Sequence, residues 1–444
     1  MASETKVISL AEEVARNKES PGEEIHYAVY QYNASMEDGM AYTRSFIVLK
    51  NGYDVIVKFT RLHVFAGVYT GRTVVPLTSN HTASLYYICC MLNFILVYHA
   101  DKYRISHVFD VTKEMLVDFF KDYALEKKSN GGYKSRSTIE KCISAVTKFM
   151  ANLSRKYGRY MKVTAHELYK AQNVYNQKGK LVAKSVPDFQ IEAVLENEKP
   201  FRDLPTKAFE LLIPIAFRYT PEIAFAMCLQ AFAGLRAGET MNIRQESSRY
   251  GGSIRFTSVA GVVTKIEIDL RRAYIMRSDG KAVGSIKKPR RQYVYPPFIS
   301  AFCSAYEYHQ EYLKGCTFED GYAPMFPNRD GKALTADDYR KKFEGLVKGK
   351  LLPLLLKSSD PELRIYGQLL CENSLPPHCL RHWYTVQLVL RGEDIAGIQF
   401  WRGDKSPQSA FEYLQNKGDL VNELKEADDR LAKILMEAGE HCHG

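Results

Sequence analysis

The sequence predicts a multidomain chain, mainly α with β: a β-rich N-terminal module, a helical domain and a mixed α/β domain. Three observations predict it. Asn51-Gly52, flanked by Phe46 to Lys50 and Tyr53 to Phe59, is a strong hairpin signal. From Thr138 to Leu153, Ile139, Cys142, Ile143, Val146, Phe149, Met150 and Leu153 recur at helical spacing on one face. In the second half, Val262, Thr264, Ile266 and Ile268 alternate within an otherwise helical pattern and mark strands. At 444 residues the chain exceeds one compact core. With 45% hydrophobic and 25% charged residues it is not a globally disordered polymer.

A strand from about Ile25 to Tyr32 supplies a third partner for the hairpin, and residues 1–75 read as one β-rich module, an arm-site DNA binder or a protein-contact domain. After Pro76 the pattern turns helical, so residues 76–160 read as a helical domain. Ala83 to Ala100 carries no formal charge and is long enough to tempt a transmembrane assignment. Ser84, Asn93, three tyrosines and the lack of a second span instead assign it to a helix buried between helices. Ser137 and Glu140 have capping-box spacing at the start of the next helix. Residues 161–203, polar and basic, read as a linker. The mixed domain spans 204–418, with helices around Phe209 to Phe217 and Pro221 to Ala233, a β-rich stretch from Ile254 to Val294, and helices from Pro297 onward. Residues 419–444 form a last helix and tail, with Leu420, Leu424, Ala427, Leu431, Ile434 and Leu435 on one stripe after a hinge at Gly418.

The formal charge is +10, and its distribution points to a polyanion. Ten Lys or Arg residues and one acidic residue, Glu140, lie between Lys127 and Lys162. Lys127, Lys128, Lys134, Arg136, Lys141 and Lys148 are the DNA-contact candidates there, with Arg290 and Arg291 from a second basic run that also holds Lys281, Lys287 and Lys288. Nine scattered cysteines without a CxxC pair, and an N-terminus broken up by Glu4, Glu12 and Glu13, predict a cytoplasmic chain with reduced thiols, nucleoid-associated if bacterial. His441-Cys442-His443 lacks nearby partner ligands and reads as a tail, so no metal is expected.

Four patterns occur in one order. Gly234-Leu235-Arg236-Ala237-Gly238-Glu239 comes first, then Lys287-Lys288-Pro289-Arg290-Arg291 before a strand. His378-Cys379-Leu380-Arg381-His382 follows, then Gly403-Asp404-Lys405-Ser406 with Tyr413 nine residues beyond Asp404. Each is weak alone. Together, over roughly residues 80 to 420, they resemble the tyrosine recombinase (phage integrase) family, with its GLRxGE and HxLRH strings and a tyrosine about 32 residues after the second arginine; here Arg381 and Tyr413 are 32 apart. The resemblance implies a core-binding domain at 76–160 and a tyrosine-recombinase catalytic domain at 204–418. It also implies catalytic roles for Tyr413 as nucleophile, Arg236, Arg381 and His378, and a general-acid lysine, for which counting back from Val294 favours Lys287 over Lys288.

Those residue types suit phosphodiester attack. Charge builds on the non-bridging oxygens, where guanidinium forks give paired, charge-assisted hydrogen bonds that lysine cannot reproduce. Tyrosine must lose its proton as it attacks, a histidine can share that transfer, and the departing 5′ oxygen needs a proton. No metal or cofactor is called for. Glu239 and His382 are candidate supports. One departure stands out: the family usually carries His or Trp where this chain has Asp404, which in its ionised form repels phosphate. Trp401, one turn earlier, or Lys405 is left to supply the missing donor.

The expected function is a site-specific recombinase or integrase for a mobile element, cutting and rejoining DNA through a 3′-phosphotyrosyl intermediate. Alternatives are a type IB topoisomerase or telomere resolvase, and a DNA-binding protein that has kept the fold without catalysis. The expected partners are double-stranded DNA with paired recognition sites, other copies of the chain in a homotetramer joined through the C-terminal helix, and accessory DNA-bending proteins, with no membrane.

Overall fold

The computed structural model describes residues 25–35, 39–67, 79–128, 131–175, 181–194 and 203–404. Tyr413, Lys405, the Gly418 hinge, the terminal helix and the His441-Cys442-His443 tail lie outside the described residues. Two units are present: Met1–Tyr32 with Thr43–Lys199, and Asn33–Tyr42 with Pro200–Gly444.

The strands β1 (His26–Ser35), β2 (Ala41–Lys50) and β3 (Ile56–Phe59), most of whose residues belong to the first unit, form a sheet in that order. The connection from β2 to β3 is wider than the two-residue turn expected at Asn51-Gly52. The Asn51 side-chain carbonyl accepts from the amides of Tyr53 and Val55 at 3.2 and 3.0 Å, so this short polar side chain organises the loop and delays β3 to Ile56. Helices α1 (Ser79–Asn93), α2 (Lys113–Leu125) and α3 (Arg136–Tyr157) follow, then an antiparallel hairpin of β4 (Tyr169–Tyr175) and β5 (Leu181–Pro187). That hairpin lies within the stretch expected to be a linker.

The strands do not form a module of their own. Ile47 and Leu49 of β2 and Tyr27 of β1 share one buried cluster with Leu85, Ile88 and Met91 of α1 and Val146 and Phe149 of α3. Asn93 ties β1 to α1 by accepting from Tyr27 N at 2.6 Å and donating to Tyr27 O at 2.9 Å. The reading of residues 1–75 as a separate domain is therefore corrected, because residues from both sides of the expected boundary share one core. The stretch from Ala83 is helical and packed inside this unit, and no described helix is long and apolar enough to cross a membrane. Helix α3 has the expected apolar stripe but begins at Arg136, and its N-cap Ser135 makes no side-chain capping bond, so the expected Ser137–Glu140 box does not start it.

The second unit is built around α5 (Pro221–Ala233), in which every residue from Ile223 to Ala233 is buried. A helix apolar on all sides belongs in the centre of a core. Against it pack α4 (Thr206–Tyr219), α7 (Ile299–Lys314) and α10 (His378–Leu390), with α6 (Ala237–Thr240) at its end and α8 (Ala336–Leu346) nearby. Thr335 and Asp338 cap α8 reciprocally. Gln230, buried on α5, accepts the Tyr339 hydroxyl of α8 at 2.5 Å, so this polar pair inside the core is satisfied. The antiparallel sheet of β6 (Ile254–Val259), β7 (Val262–Leu270) and β8 (Arg290–Tyr293) covers one side, with Ile266, Ile268 and Leu270 facing inward. Helices α9 (Pro361–Glu372) and α11 (Ile395–Arg402) complete the described part.

Candidate active site

The site assembles where the C-terminal ends of α5 and α11 meet the first turn of α10. Helix α5 ends at Gly234, in the left-handed region at φ 64°, with its Cα against the ring of Tyr384; a Cβ there would lie 2.6 Å from Tyr384 Cδ1. Only glycine allows both that backbone and that close approach. The turn places Arg236 as the N-cap of α6 and lets Arg381, one turn into α10, donate through Nη1 to the carbonyl of Gly234. Helix α11 ends the same way at Gly403, φ 63°, pressed against the Arg290 side chain, and delivers Asp404.

Asp404 lies between the two arginines. Its Oδ1 accepts from Arg236 Nη2 at 2.6 Å and from Arg381 Nη2 at 2.8 Å, and Oδ2 lies 3.0 Å from Arg402 Nε. Arg381 is 1% exposed, and its Nη2 also donates to the Arg402 carbonyl at 3.0 Å. Burial, with Arg402 nearby, pulls the Arg381 guanidinium down to about 9, against the pull of Asp404. Burial pushes the Asp404 carboxyl up, but Arg381, Arg402 and Arg236 outweigh it and hold it below the usual carboxylate range. Asp404 is therefore an ionised carboxylate in a cationic seat.

Glu239 supports the seat from behind. Fully buried, it accepts from the Arg236 amide at 3.0 Å, from Arg236 Nη1 at 3.0 Å and from both forks of Arg290. Burial raises its pKa, but the Arg290 hydrogen bonds and charge, joined by Arg236, override that and bring it to about 2. Arg290, expected to contact DNA, is thus committed inward, and that expectation is corrected. Arg291, one residue on, is exposed and pairs with Glu267 at 3.3 Å.

The two lysines differ in exposure and in reach. Arg290 and Gln292 face the seat: Arg290 reaches Glu239, and Gln292 Nε2 donates to the Trp401 carbonyl at 2.5 Å. Lys288, two residues before β8, is half-buried, and its ammonium donates to the Gly403 carbonyl at 3.3 Å, beside Asp404. Lys287, which the count from Val294 favoured, is exposed. The structure brings Lys288 to the site.

His378, one turn before Arg381 on α10, and His382, the residue after it, are both half-buried. Trp401 packs edge-on against Tyr295 and Phe400, with ring centroids 5.0 and 5.1 Å apart, and its carbonyl takes the Gln292 bond, which braces the end of α11. The sequence reading missed Arg402. Its signal lay in the string itself, because a residue just before a helix-ending glycine is held in the last turn and carried with Asp404.

In the first unit, Lys127, Lys128, Arg136 and Lys141 are exposed, Arg136 pairing with Glu140 at 3.5 Å, and Lys148 is half-buried. Lys134 does not join them. It is 8% exposed, lies over the Tyr123 ring, and donates to the carbonyls of Tyr123 and Glu126 at the end of α2, so its expected DNA contact is corrected. Among the described residues no cluster of His, Cys, Asp or Glu could hold a metal ion.

No protein-family model matches the chain, and no curated protein does. Solved structures do resemble it. The Tn1549 transposon integrase (residues 82–397) in complex with circular intermediate DNA has 17% identity and a TM-score of 0.48, covering 80% of this chain and 94% of its own. The XerH site-specific recombinase bound to difH substrate has 14% identity and a TM-score of 0.41, covering 76% and 74%. A lambda integrase (75–356) dimer bound to a COC′ core site has 10% identity and a TM-score of 0.42, covering 79% and 91%. These three are integrases and a site-specific recombinase, and the order of Arg236, His378, Arg381 and Tyr413 in this chain resembles the motifs of the tyrosine recombinase family.

Proposed function

We propose that the chain is a site-specific DNA recombinase that cuts and rejoins DNA through a covalent 3′-phosphotyrosyl link to Tyr413, in the service of a mobile element. One observation carries the reading: Arg236 and Arg381, far apart in sequence, converge on a single anionic oxygen at 2.6 and 2.8 Å. That is the geometry a non-bridging phosphate oxygen needs.

In this reading the Tyr413 oxygen attacks phosphorus, the new bond forms between phosphorus and that oxygen, and the bond to the 5′ oxygen breaks. The tyrosine proton passes to His378, and Lys288 gives a proton to the departing 5′ oxygen. Religation runs the steps in reverse. The phosphotyrosine retains the bond energy, so no nucleotide is consumed. Paired recognition sites, a homotetramer joined through the C-terminal helix, accessory DNA-bending proteins and a cytoplasmic setting belong to the same proposal.

A second reading has its own support. Asp404 fills the arginine pair, as it would in a protein that kept the fold without the chemistry. The test is a nicked duplex that traps the covalent intermediate. The wild type should accumulate a protein–DNA adduct and Tyr413→Phe none, with DNA binding nearly unchanged. A wild-type chain that forms no adduct and binds duplex as well as the Phe variant would support the binder instead. Joining of two separate duplexes would distinguish recombination from topoisomerase or telomere-resolvase activity.

A further inference from the structure

The three guanidiniums around Asp404 leave little choice about where an incoming phosphate can go. Arg381 is 1% exposed; Nη1 donates to Gly234 O, and Nη2 divides its two hydrogens between the Arg402 carbonyl and Asp404 Oδ1. The bond to Arg402 O runs to backbone that belongs to the seat. The hydrogen held by Asp404 is the one directed at an ion. Arg236 is likewise divided between Glu239 behind and Asp404 in front. Arg402 is 7% exposed, with Nε 3.0 Å from Oδ2.

Charge makes the same point. Four arginines, Arg236, Arg290, Arg381 and Arg402, surround two carboxylates, Glu239 and Asp404. Glu239 is locked from behind by Arg290 and is not accessible, whereas Asp404 is 13% exposed on its side chain and sits at the mouth. A phosphodiester has the same single charge as the carboxylate it would meet. One can replace the other without changing the charge of the seat, but both cannot share the same hydrogens.

We propose that Asp404 is the resting occupant of the phosphate seat, that DNA enters by exchanging its phosphodiester for this carboxylate, and that Arg402 is a third phosphate-contacting residue uncovered by that exchange. The proposal rests on the reading of Arg236 and Arg381 as a phosphate clamp. Asp404 then acts as a built-in competitor that keeps the seat closed until a duplex is well enough held to displace it.

The test uses the full chain, with inorganic phosphate and a short duplex of arbitrary sequence as probes. Asp404→Asn keeps the shape and removes the charge; Asp404→Ala removes the group. Both should bind phosphate, read as a concentration-dependent rise in melting temperature, roughly tenfold more tightly than the wild type, the size expected when a charge-assisted competitor is lost. Both should also hold the duplex more tightly. Arg402→Lys placed on Asp404→Asn should take back most of the gain, because a point charge does not replace the fork. Equal phosphate responses in wild type and Asp404→Asn would overturn the occupant role, as would weaker duplex binding by both variants, which would make Asp404 a prop for the arginines. An undiminished gain in the Arg402→Lys double variant would remove Arg402 from the seat. None of these readouts uses the nucleophile. Failure of Tyr413 to form an adduct would therefore discard the recombinase reading and leave the seat to be judged on phosphate alone.

Discussion

Glu239 and Arg290 form a bidentate ion pair inside the second unit, Nη1 lying 2.9 Å from Oε1 and Nη2 2.9 Å from Oε2, with the carboxylate wholly buried. The pair fixes the back of the site, since the same carboxylate holds Arg236 through its amide and Nη1. Removing one partner of such a pair leaves the other charge buried and uncompensated. Glu239→Gln should therefore cost about 3–5 kcal/mol of stability, and Glu239→Gln with Arg290→Met should recover part of it. The pH dependence follows from the sign of the shift. With the folded carboxyl brought to about 2, below its unfolded value near 4.3, the pair stabilises the protein above that unfolded value, and the contribution is lost as pH falls toward about 2. Urea melts across that range should show a shallower acid loss for Glu239→Gln than for wild type. Equal slopes, or a single variant no less stable than the double, would contradict the pairing.

Lys288 and Lys287 give opposite expectations with a modified substrate. If Lys288, which reaches the Gly403 carbonyl, protonates the leaving oxygen, Lys288→Ala should slow cleavage by a factor of about 10²–10⁴ on an ordinary duplex. With sulfur in place of the bridging 5′ oxygen the leaving group needs no proton, and the rate should return to near wild type. Lys287→Ala, altered at an exposed position, should show a small defect that sulfur does not repair. Rescue of the Lys287 variant alone would reverse the assignment.

How much of this was legible in the sequence depends on the distance over which each feature is decided. Local signals read well. The apolar run that buries α5 on all sides, the stripe of α3, the alternation in β7 and the arginine just after Gly234 all follow from residues within one or two turns of each other. The site's electrostatics did not read, because they are contacts between remote segments. Nothing near Arg290 says that Glu239 will claim both its forks, and nothing near Lys134 says that its ammonium will fold back onto the carbonyls ending α2. Basic runs were counted as surface when part of each had an internal partner. Asp404 was recognised as a departure, but a carboxylate there was read as repelling phosphate; its alternative, occupying the phosphate's place, needed the three arginines in space.

The strands at the N-terminus bear on the last prediction. Sequence alone suggested a removable module, because a hairpin with its own turn residues and a following helical domain look like two things. Their side chains make one core. Ile47 is fully buried and Leu49 nearly so among α1 and α3 residues, and Asn152 of α3 reaches back to the carbonyls of Phe65 and Gly67 at 2.9 and 3.1 Å. Truncating a fully buried isoleucine removes its transfer energy and leaves a cavity, so Ile47→Ala should destabilise the first unit by about 2–5 kcal/mol. A chain starting after residue 75 should lose more. It would expose the faces of α1 and α3 that β1 and β2 cover and leave Asn93 and Asn152 without their backbone partners. Amide exchange across α1 and α3 reads the effect directly. Protection in both helices should fall together in Ile47→Ala and be nearly absent in the truncated chain. Full protection of α1 and α3 after truncation would restore the separable module and refute the shared core.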